Sequence, residues 1–163
     1  MYNIGDRIVH PMHGAGVIAD IEELEILGEK REYYVLDVSC GGVGVKIPVD
    51  KCGEIGVRPV IDRDEIEGVL KVLSREAVDM PENWNTRYRE NMDRLKTGDI
   101  TEVAALVRDI AKSENVKKMS SGEKKILNTA LKILQSEIML SADISSQKAL
   151  EMIENAMMPQ AQL

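Results

Sequence analysis

Two histidines and two cysteines are the residues of this chain whose types could bind a metal ion. His10 and His13 stand close together in HPMH, whereas Cys40 and Cys52 lie well apart from them and from each other. Structural zinc usually takes four ligands, often as CxxC pairs, so this set is a weak zinc pattern. We expect no metal and no cofactor. The histidines are interpreted as part of a loop after a first strand, and the cysteines as isolated thiols in a reducing compartment.

Sequence patterns of catalysis and nucleotide binding are weak. The GAG of residues 14–16 lacks the third glycine and the following helix of a dinucleotide-binding loop, because the strand-like Val17 and Ile18 come next. A GxSxG motif is absent, and the acidic residues lie mainly on amphipathic helical patterns, where they would be solvated. The chain is therefore not expected to be an enzyme.

The stretch PENWNTRYRENM, residues 81–92, places the only tryptophan, Trp84, just ahead of Arg87, Tyr88 and Arg89. In a helix that begins at Trp84, Tyr88 lies one turn further along the same stripe, which on periodicity alone favours a buried tryptophan. A first-turn aromatic beside two arginines is also typical of minor-groove binders, in which the ring lies against a base step and the cations hold phosphates. Both interpretations remain open from the spacing alone.

The charge distribution restricts where a nucleic acid could bind. The net charge of -7 argues against a general polyanion binder, but residues 84–132 carry 11 basic and 7 acidic side chains, the only positive balance along the chain. Lys117 and Lys118 come first, and Lys124 and Lys125 fall in the predicted first turn of a helix, where free backbone N–H groups also favour a phosphate. A solvated basic face is the alternative.

The elements that position these residues change in kind near residue 60. Before it, glycine-punctuated patterns rich in Val, Ile and Tyr predict five short strands: RIVH, GAGVIADIEELEI, KREYYVLDVSC, VGVKIPV and IGVRPV. After it, apolar spacings of three and four predict a bundle of about five helices. The sequence therefore predicts an α+β chain of two domains, residues 1–60 and residues 61–163.

The predicted helices carry recognisable start and stop signals. A first helix is expected at about 63–74, with Asp62 or Asp64 as its cap, and the helix of Trp84 is expected to end at Gly98. A last helix is expected at 145–157. Two predicted capping boxes open the helices between them, Asp99 with Glu102 and Ser120 with Glu123.

Taken in order, several segments resemble the CarD family of bacterial transcription regulators (CarD/CdnL-like), from Gly5 to about Met157. They are GDRIVHPMHGAGVI, GEKREYYVLDV, KIPVD, IGVRPVI, PENWNTRYRENMDRLKTGD, LVRDIAK and SSGEKKIL. The resemblance implies a Tudor-like (SH3-like) N-terminal domain that binds the β subunit of RNA polymerase. It also implies a helical C-terminal domain that contacts promoter DNA, in the minor groove at the upstream edge of the melted -10 region.

The resemblance also implies roles for individual residues. Trp84 falls on the family's tryptophan, Arg87 and Arg89 on its neighbouring basic positions, and residues 121–124 on its SAGEK-like helix start. With Lys125 added from the helix-start argument, the predicted DNA-binding set is Trp84, Arg87, Arg89, Lys124 and Lys125. The predicted polymerase-binding set is Lys46 and Val45 on the strand VGVKIPV, together with Ile26. One departure from the family pattern lies at or beside Leu24, where some members have a basic contact, and an apolar or edge-strand contact through Ile26 is expected to take a larger share there.

Together these observations predict a regulator that polymerase holds beside the promoter, where a tryptophan wedge stabilises the open complex without any reaction by the regulator. An adaptor that uses both domains for protein partners and does not bind DNA is the alternative. A metal protein using His10, His13 and the cysteines is a third hypothesis. With no long apolar run and no signal-peptide pattern at the start, we expect a cytoplasmic monomer, associated with the nucleoid through polymerase.

Overall fold

A computed structural model describes residues 1–38, 44–113 and 119–158, and the N-terminal part of the chain folds as an antiparallel sheet. Its strands are β1 (Arg7–His10), β2 (Gly14–Ile26), β3 (Glu29–Val38), β4 (Gly44–Pro48) and β5 (Arg58–Pro59). They lie in the order β4-β3-β2-β1-β5, so that β4 and β5 are the edges of the described sheet. All five predicted strands are confirmed. We call residues 1–60 the β module.

The long β2–β3 hairpin dominates the β module. Ile26 pairs with Glu29 across a two-residue turn in which Leu27 and Gly28 have φ values of 52° and 80°. Two positive φ angles are the mark of a type I′ turn, whose twist matches that of the flanking strands. Alternate residues face a small core, which consists of Ile8, Ile18, Tyr34, Leu36, Val38, Ile47 and Cys52. A short helix, α1 (Cys52–Ile55), connects β4 to β5.

Helices make up the rest of the chain, which we call the helical module (residues 61–158). They are α2 (Ile66–Ser74), α3 (Trp84–Lys96), α4 (Ile100–Ala111), α5 (Ser121–Ala142) and α6 (Ser146–Met157). These confirm the five predicted helices of the bundle. A 3-10 turn, Arg63–Glu65, precedes α2, and Asp62 and Glu65 form a capping box around it. None of the described helices is long and apolar enough to cross a bilayer.

Of the two capping boxes predicted further along the chain, that of Asp99 with Glu102 is wrong in its reciprocal half. Asp99 accepts a hydrogen bond from the Thr101 amide at 2.8 Å, but the carboxylate of Glu102 pairs with Arg94 at 2.7 Å. Ser120 accepts from the Glu123 amide at 3.2 Å and the Glu123 carboxylate hydrogen-bonds back to Ser120, so this box forms, although the same carboxylate also pairs with Arg87. An arginine offers a charge-assisted hydrogen bond, which is stronger than the one a backbone amide offers.

The core of the helical module extends into the β module. Its fully buried side chains come mainly from α4 and α5, among them Leu106, Val107, Ile110, Leu134 and Ile138. Val9 of β1 and Ala15 of β2 belong to the same cluster. The two modules therefore share a continuous apolar contact, and the sheet does not pack on itself alone.

Candidate nucleic-acid interface

Trp84 is the first residue of α3 and is 49% exposed. The preceding Asn83 caps the helix by accepting a hydrogen bond from the Thr86 amide at 3.1 Å. The side chains that α3 buries lie further along, at Asn91 and Leu95. Periodicity favoured a buried tryptophan, but about half of the Trp84 surface is accessible to solvent. That interpretation is therefore wrong for the exposed part of the side chain. The exposed half is free to contact a partner.

Tyr88 supports the other half of the indole. The two rings are stacked, with centroids 6.0 Å apart and planes at 23°. The Tyr88 ring also lies against Gly122 of α5, so closely that a Cβ added there would be 3.0 Å from the Tyr88 Cε2 atom. Trp84, Tyr88 and Gly122 thus form a continuous layer, which we call the aromatic stack. It connects the first turn of α3 to the first turn of α5.

Arg87 lies beside the aromatic stack and is engaged within the protein. Its Nε and Nη2 atoms donate to the two carboxylate oxygens of Glu123 at 3.0 and 2.7 Å, and its Nη1 atom donates to the carbonyls of Pro81 and Glu82. The hydrogen bonds from Arg87 hold the pKa of Glu123 below its usual value, and those to Glu123 raise the pKa of Arg87. The guanidinium predicted to bind phosphate is therefore occupied by a carboxylate.

Three of the predicted cations are open to solvent. Arg89 on α3 and Lys124 and Lys125 on α5 are exposed, and none of the three forms an ion pair within the described part of the chain. At 100° per residue, Arg89 lies about 140° around α3 from Trp84, so it faces away from the indole. Lys124 and Lys125 directly follow the buried Glu123 in the first turns of α5. Lys117 and Lys118 lie outside the described residues.

The residues predicted to bind polymerase are divided between two faces of the sheet. Lys46 pairs with Val35 and Val45 pairs with Leu36, which is buried in the core, so Lys46 lies on the outer face and Val45 on the inner face. The ammonium group of Lys46 makes a half-exposed ion pair with Glu22 at 3.1 Å. Within the described sheet, β4 pairs only with β3 and leaves its other edge open.

Beside the predicted Ile26, the hairpin tip carries two residues that were not predicted, Leu27 and Arg31. Ile26 is half exposed, and Leu27, at the turn itself, is fully exposed. Leu24 on β2 pairs directly with Arg31 on β3. The basic side chain that Leu24 lacks is therefore present on the neighbouring strand. Arg31 makes only an exposed contact of 3.5 Å with Glu29. A hairpin register derived from the LG turn would have identified this pair.

His10 and His13 lie together, with ring centroids 4.6 Å apart. The Nδ1 atom of His10 accepts a hydrogen bond from the Met12 amide at 3.0 Å, and burial, aided by the nearby His13, lowers the pKa of His10 to about 4. The buried thiol of Cys52 contacts the Pro48 carbonyl at 3.6 Å. Cys40 lies outside the described residues. Across residues 1–38, 44–113 and 119–158, no three His, Cys, Asp or Glu side chains form a group that could hold a metal ion.

Comparison with known proteins divides the chain at the same place as the structure does. Residues 2–61 match the family model described as the CarD-like/TRCF RID domain, and residues 68–154 match the model described as the CarD C-terminal domain. The chain is also similar to YdeB, a candidate transcription factor of Bacillus subtilis (strain 168). The two are 38% identical over 138 residues, which cover 85% of this chain and 90% of YdeB. The first match ends just after β5, and the second begins within α2.

Proposed function

This chain belongs to the CarD family of transcription factors, and from this we propose that it binds RNA polymerase through the β module and promoter DNA through the aromatic stack. The observation that carries the proposal is the half-exposed indole of Trp84, stacked on Tyr88 at the start of α3. An exposed aromatic ring that a second ring supports by stacking has the geometry of a wedge. The described fold, a Tudor-like sheet followed by helices, separates one contact surface from the other.

The polymerase contact is proposed for the outer face and open edge of β4. An extended segment of the polymerase β subunit would add a strand beside β4 and hydrogen-bond to its backbone, including that of Val45. Lys46 would leave its half-exposed pair with Glu22 for a carboxylate on polymerase. Ile26 and Leu27 at the hairpin tip would supply apolar contact, and Arg31 the basic contact that Leu24 lacks.

Tethering explains how an acidic protein could use a weak DNA site. Once polymerase holds the β module, the helical module binds DNA at a high effective concentration. Trp84 would lie in the minor groove at the junction of duplex and bubble, where base steps are already weakened and deformation costs least. Arg89, Lys124 and Lys125 would neutralise phosphates, while Arg87 would hold the wedge through Glu123.

The proposed effect is a shift in population, with no reaction catalysed by the protein. A surface that binds the open promoter complex better than the closed complex favours the open complex. A difference of about 1.4 kcal/mol in binding free energy changes that equilibrium tenfold. The protein would act as a monomer in the cytoplasm and reach the nucleoid through polymerase.

Footprinting and open-complex lifetimes test the proposal. With polymerase and a promoter, the wild-type chain should add protection at the upstream edge of the -10 region and lengthen the lifetime of the open complex. Trp84→Ala should remove most of both effects. Met158→Ala, which truncates another exposed apolar side chain of the helical module, is the matched control and should leave both effects unchanged. If the wild-type chain binds polymerase but gives no added protection, the protein adaptor that does not bind DNA is the better description.

A further inference from the structure

Arg58, in the last strand of the β module, holds three parts of the chain together. Its Nη1 and Nη2 atoms each donate to the carboxylate of Glu137 on α5 at 2.6 Å. Its Nε atom donates to the carbonyl of Gly98, in the turn between α3 and α4. Glu137 is completely buried, and the Arg58 side chain is mostly so. One guanidinium thus connects β5, α5 and the end of α3.

The buried carboxylate is fully partnered at the junction of the modules. Besides Arg58, Glu137 accepts a hydrogen bond from the Ile61 amide at 2.9 Å. The neighbouring Ser136 is also completely buried, and its hydroxyl accepts from the Ala15 amide of β2 at 2.8 Å. Ser141 donates to the Ile61 carbonyl at 2.8 Å. These directional bonds permit one orientation of α5 on the sheet, whereas apolar contact alone would tolerate sliding.

The turn that follows α3 packs closely against the backbone of the β module at Gly98. Gly98 has φ +72°, and a Cβ at this position would lie 3.4 Å from the Gly56 carbonyl oxygen and 3.8 Å from the Pro11 side chain. α3 has 13 residues and is roughly 20 Å long, and Trp84 lies at the end opposite to this contact. Trp84 is therefore carried on a helix whose far end is fixed to the sheet by Arg58.

We propose that Arg58 and Glu137 are positioning residues, which hold the β module and the helical module as one rigid body and thereby set the distance between β4 and Trp84. The rigid coupling itself stands on the contacts described above, and its consequence at the promoter rests on the proposed function. Two weak contacts reinforce each other most when their spacing matches their sites, and a loose connection lowers the effective concentration of the second contact. Buried ion pairs often contribute little net stability, so a role in fixing orientation accounts better for this one.

Residual dipolar couplings of the backbone amides measure the coupling without polymerase. In the wild-type chain a single alignment tensor should fit both modules. In Arg58→Lys, which loses the forked contact and the bond to Gly98, and in Glu137→Gln, each module should still fit well by itself but should require its own tensor. Asp143→Asn is the matched control, because it removes an exposed pair with Arg7 at the same junction, and it should retain the single tensor.

Open-complex lifetime supplies the functional measurement. Both variants should bind polymerase with unchanged affinity but shorten the lifetime about tenfold relative to wild type, because the tether remains and only the spacing is lost. Should a single substitution unfold the chain, as the amide spectrum would show, the double variant Arg58→Met with Glu137→Met leaves no unpaired buried charge and takes its place.

The outcomes separate the two proposals. Two tensors in the wild-type chain, or one tensor and an unchanged lifetime in the folded variants, would overturn the positioning role. Two tensors in the variants with a wild-type lifetime would show that orientation does not matter at the promoter, which also overturns it. If the wild-type chain fails to lengthen the open complex at all, the proposed function fails, and the dipolar couplings alone then decide whether Arg58 and Glu137 couple the modules.

Discussion

Arg87 and Glu123 form a two-point ion pair that joins the first turn of α3 to the first turn of α5. The carboxylate is only 4% exposed and also accepts a hydrogen bond from the Ser120 hydroxyl, while the guanidinium is 20% exposed. The pair lies beside the aromatic stack, so the same two helix ends are held by stacking on one side and by charge on the other. This double connection explains how an exposed indole can keep a defined orientation.

Truncation of Arg87 tests whether this side chain stabilises the fold or serves only to bind a phosphate. Arg87→Ala should lower the free energy of unfolding by about 3 kcal/mol, the lower end of the range for breaking a buried ion pair, because the guanidinium is partly exposed. Arg89→Ala, which removes an exposed cation from the same helix, should change it by less than about 0.5 kcal/mol. Urea denaturation measures both. Equal and small effects would mean that Arg87 is no more structural than its neighbour.

A single methyl group at Gly122 should disturb the aromatic stack. In Gly122→Ala the new Cβ would lie 3.0 Å from the Tyr88 ring, so Tyr88 must shift by a few tenths of an ångström, and we expect Trp84, which stacks on Tyr88, to shift with it. The higher helix propensity of alanine, at most about 1 kcal/mol, should offset part of the strain, so that the chain still folds. Because Trp84 is the only tryptophan, its fluorescence emission reports the change directly.

The matched control for this substitution is Gly68→Ala in α2. Gly68 has no atom of another part of the described structure within 4 Å of an added Cβ. This variant should be more stable than wild type by about 0.5 to 1 kcal/mol, with unchanged tryptophan emission. An emission spectrum of Gly122→Ala identical to that of Gly68→Ala would contradict the contact between Tyr88 and Gly122.

The elements of this fold follow from local pattern, but its ion pairs do not. Strand alternation, the LG turn and the three-and-four spacing of the helices identified the described strands and the five helices of the bundle, because each signal lies within a few residues. Glu123 and Glu137 instead find arginines 36 and 79 residues away. The capping pattern at the start of α5 predicts the hydrogen bonds between Ser120 and Glu123, but nothing near it in the sequence predicts the pair with Arg87. Ser136 and Glu137 do interrupt the apolar run of α5, and that interruption was a usable signal.

The exposure of Trp84 marks another limit of sequence pattern. Periodicity shows which stripe of a helix is apolar but not where the neighbouring helices stop. Trp84 shares a stripe with Tyr88, yet the side chains that α3 buries are Asn91 and Leu95, nearer its other end. For the sheet, strand alternation alone would have placed Lys46 and Val45 on opposite faces. Lys46 can then contact a partner through its side chain, whereas Val45, which faces the core, can do so only through its backbone. The roles that the family resemblance implies for these two residues could therefore be assigned only once the pairing of β3 and β4 was known.

The salt dependence of DNA binding should reveal the contribution of Lys124 and Lys125. Each phosphate contact adds about 0.9 to the slope of log affinity against log salt on duplex DNA. The double substitution Lys124→Ala with Lys125→Ala should therefore reduce that slope by up to about 1.8 when binding to a polymerase–promoter complex is titrated with salt. Lys148→Ala removes an exposed lysine from α6 and should leave the slope unchanged. If both variants have the wild-type slope, the two lysines belong to a solvated face.

Stability should decrease as the pH falls from about 6.5 toward 4, because of His10. Burial and the neighbouring His13 lower its pKa to about 4 in the folded chain, against a usual value of 6.5. Between these values the unfolded chain binds the proton and the folded chain does not, so acidification favours unfolding. The contribution of His10 is complete above pH 6.5. Glu123, whose pKa is lowered from 4.5, loses its contribution only below that value.

The window between pH 4.5 and 6.5 therefore isolates the histidine. Urea denaturation across this window should show the free energy of unfolding rising with pH in the wild-type chain. His10→Asn should flatten the profile, because its amide oxygen can accept the Met12 hydrogen bond in place of Nδ1 and does not titrate. His13→Asn is the control, since it leaves the half-buried imidazole of His10 in place and should retain most of the slope. Equal slopes in wild type and His10→Asn would show that a different group causes the acid sensitivity.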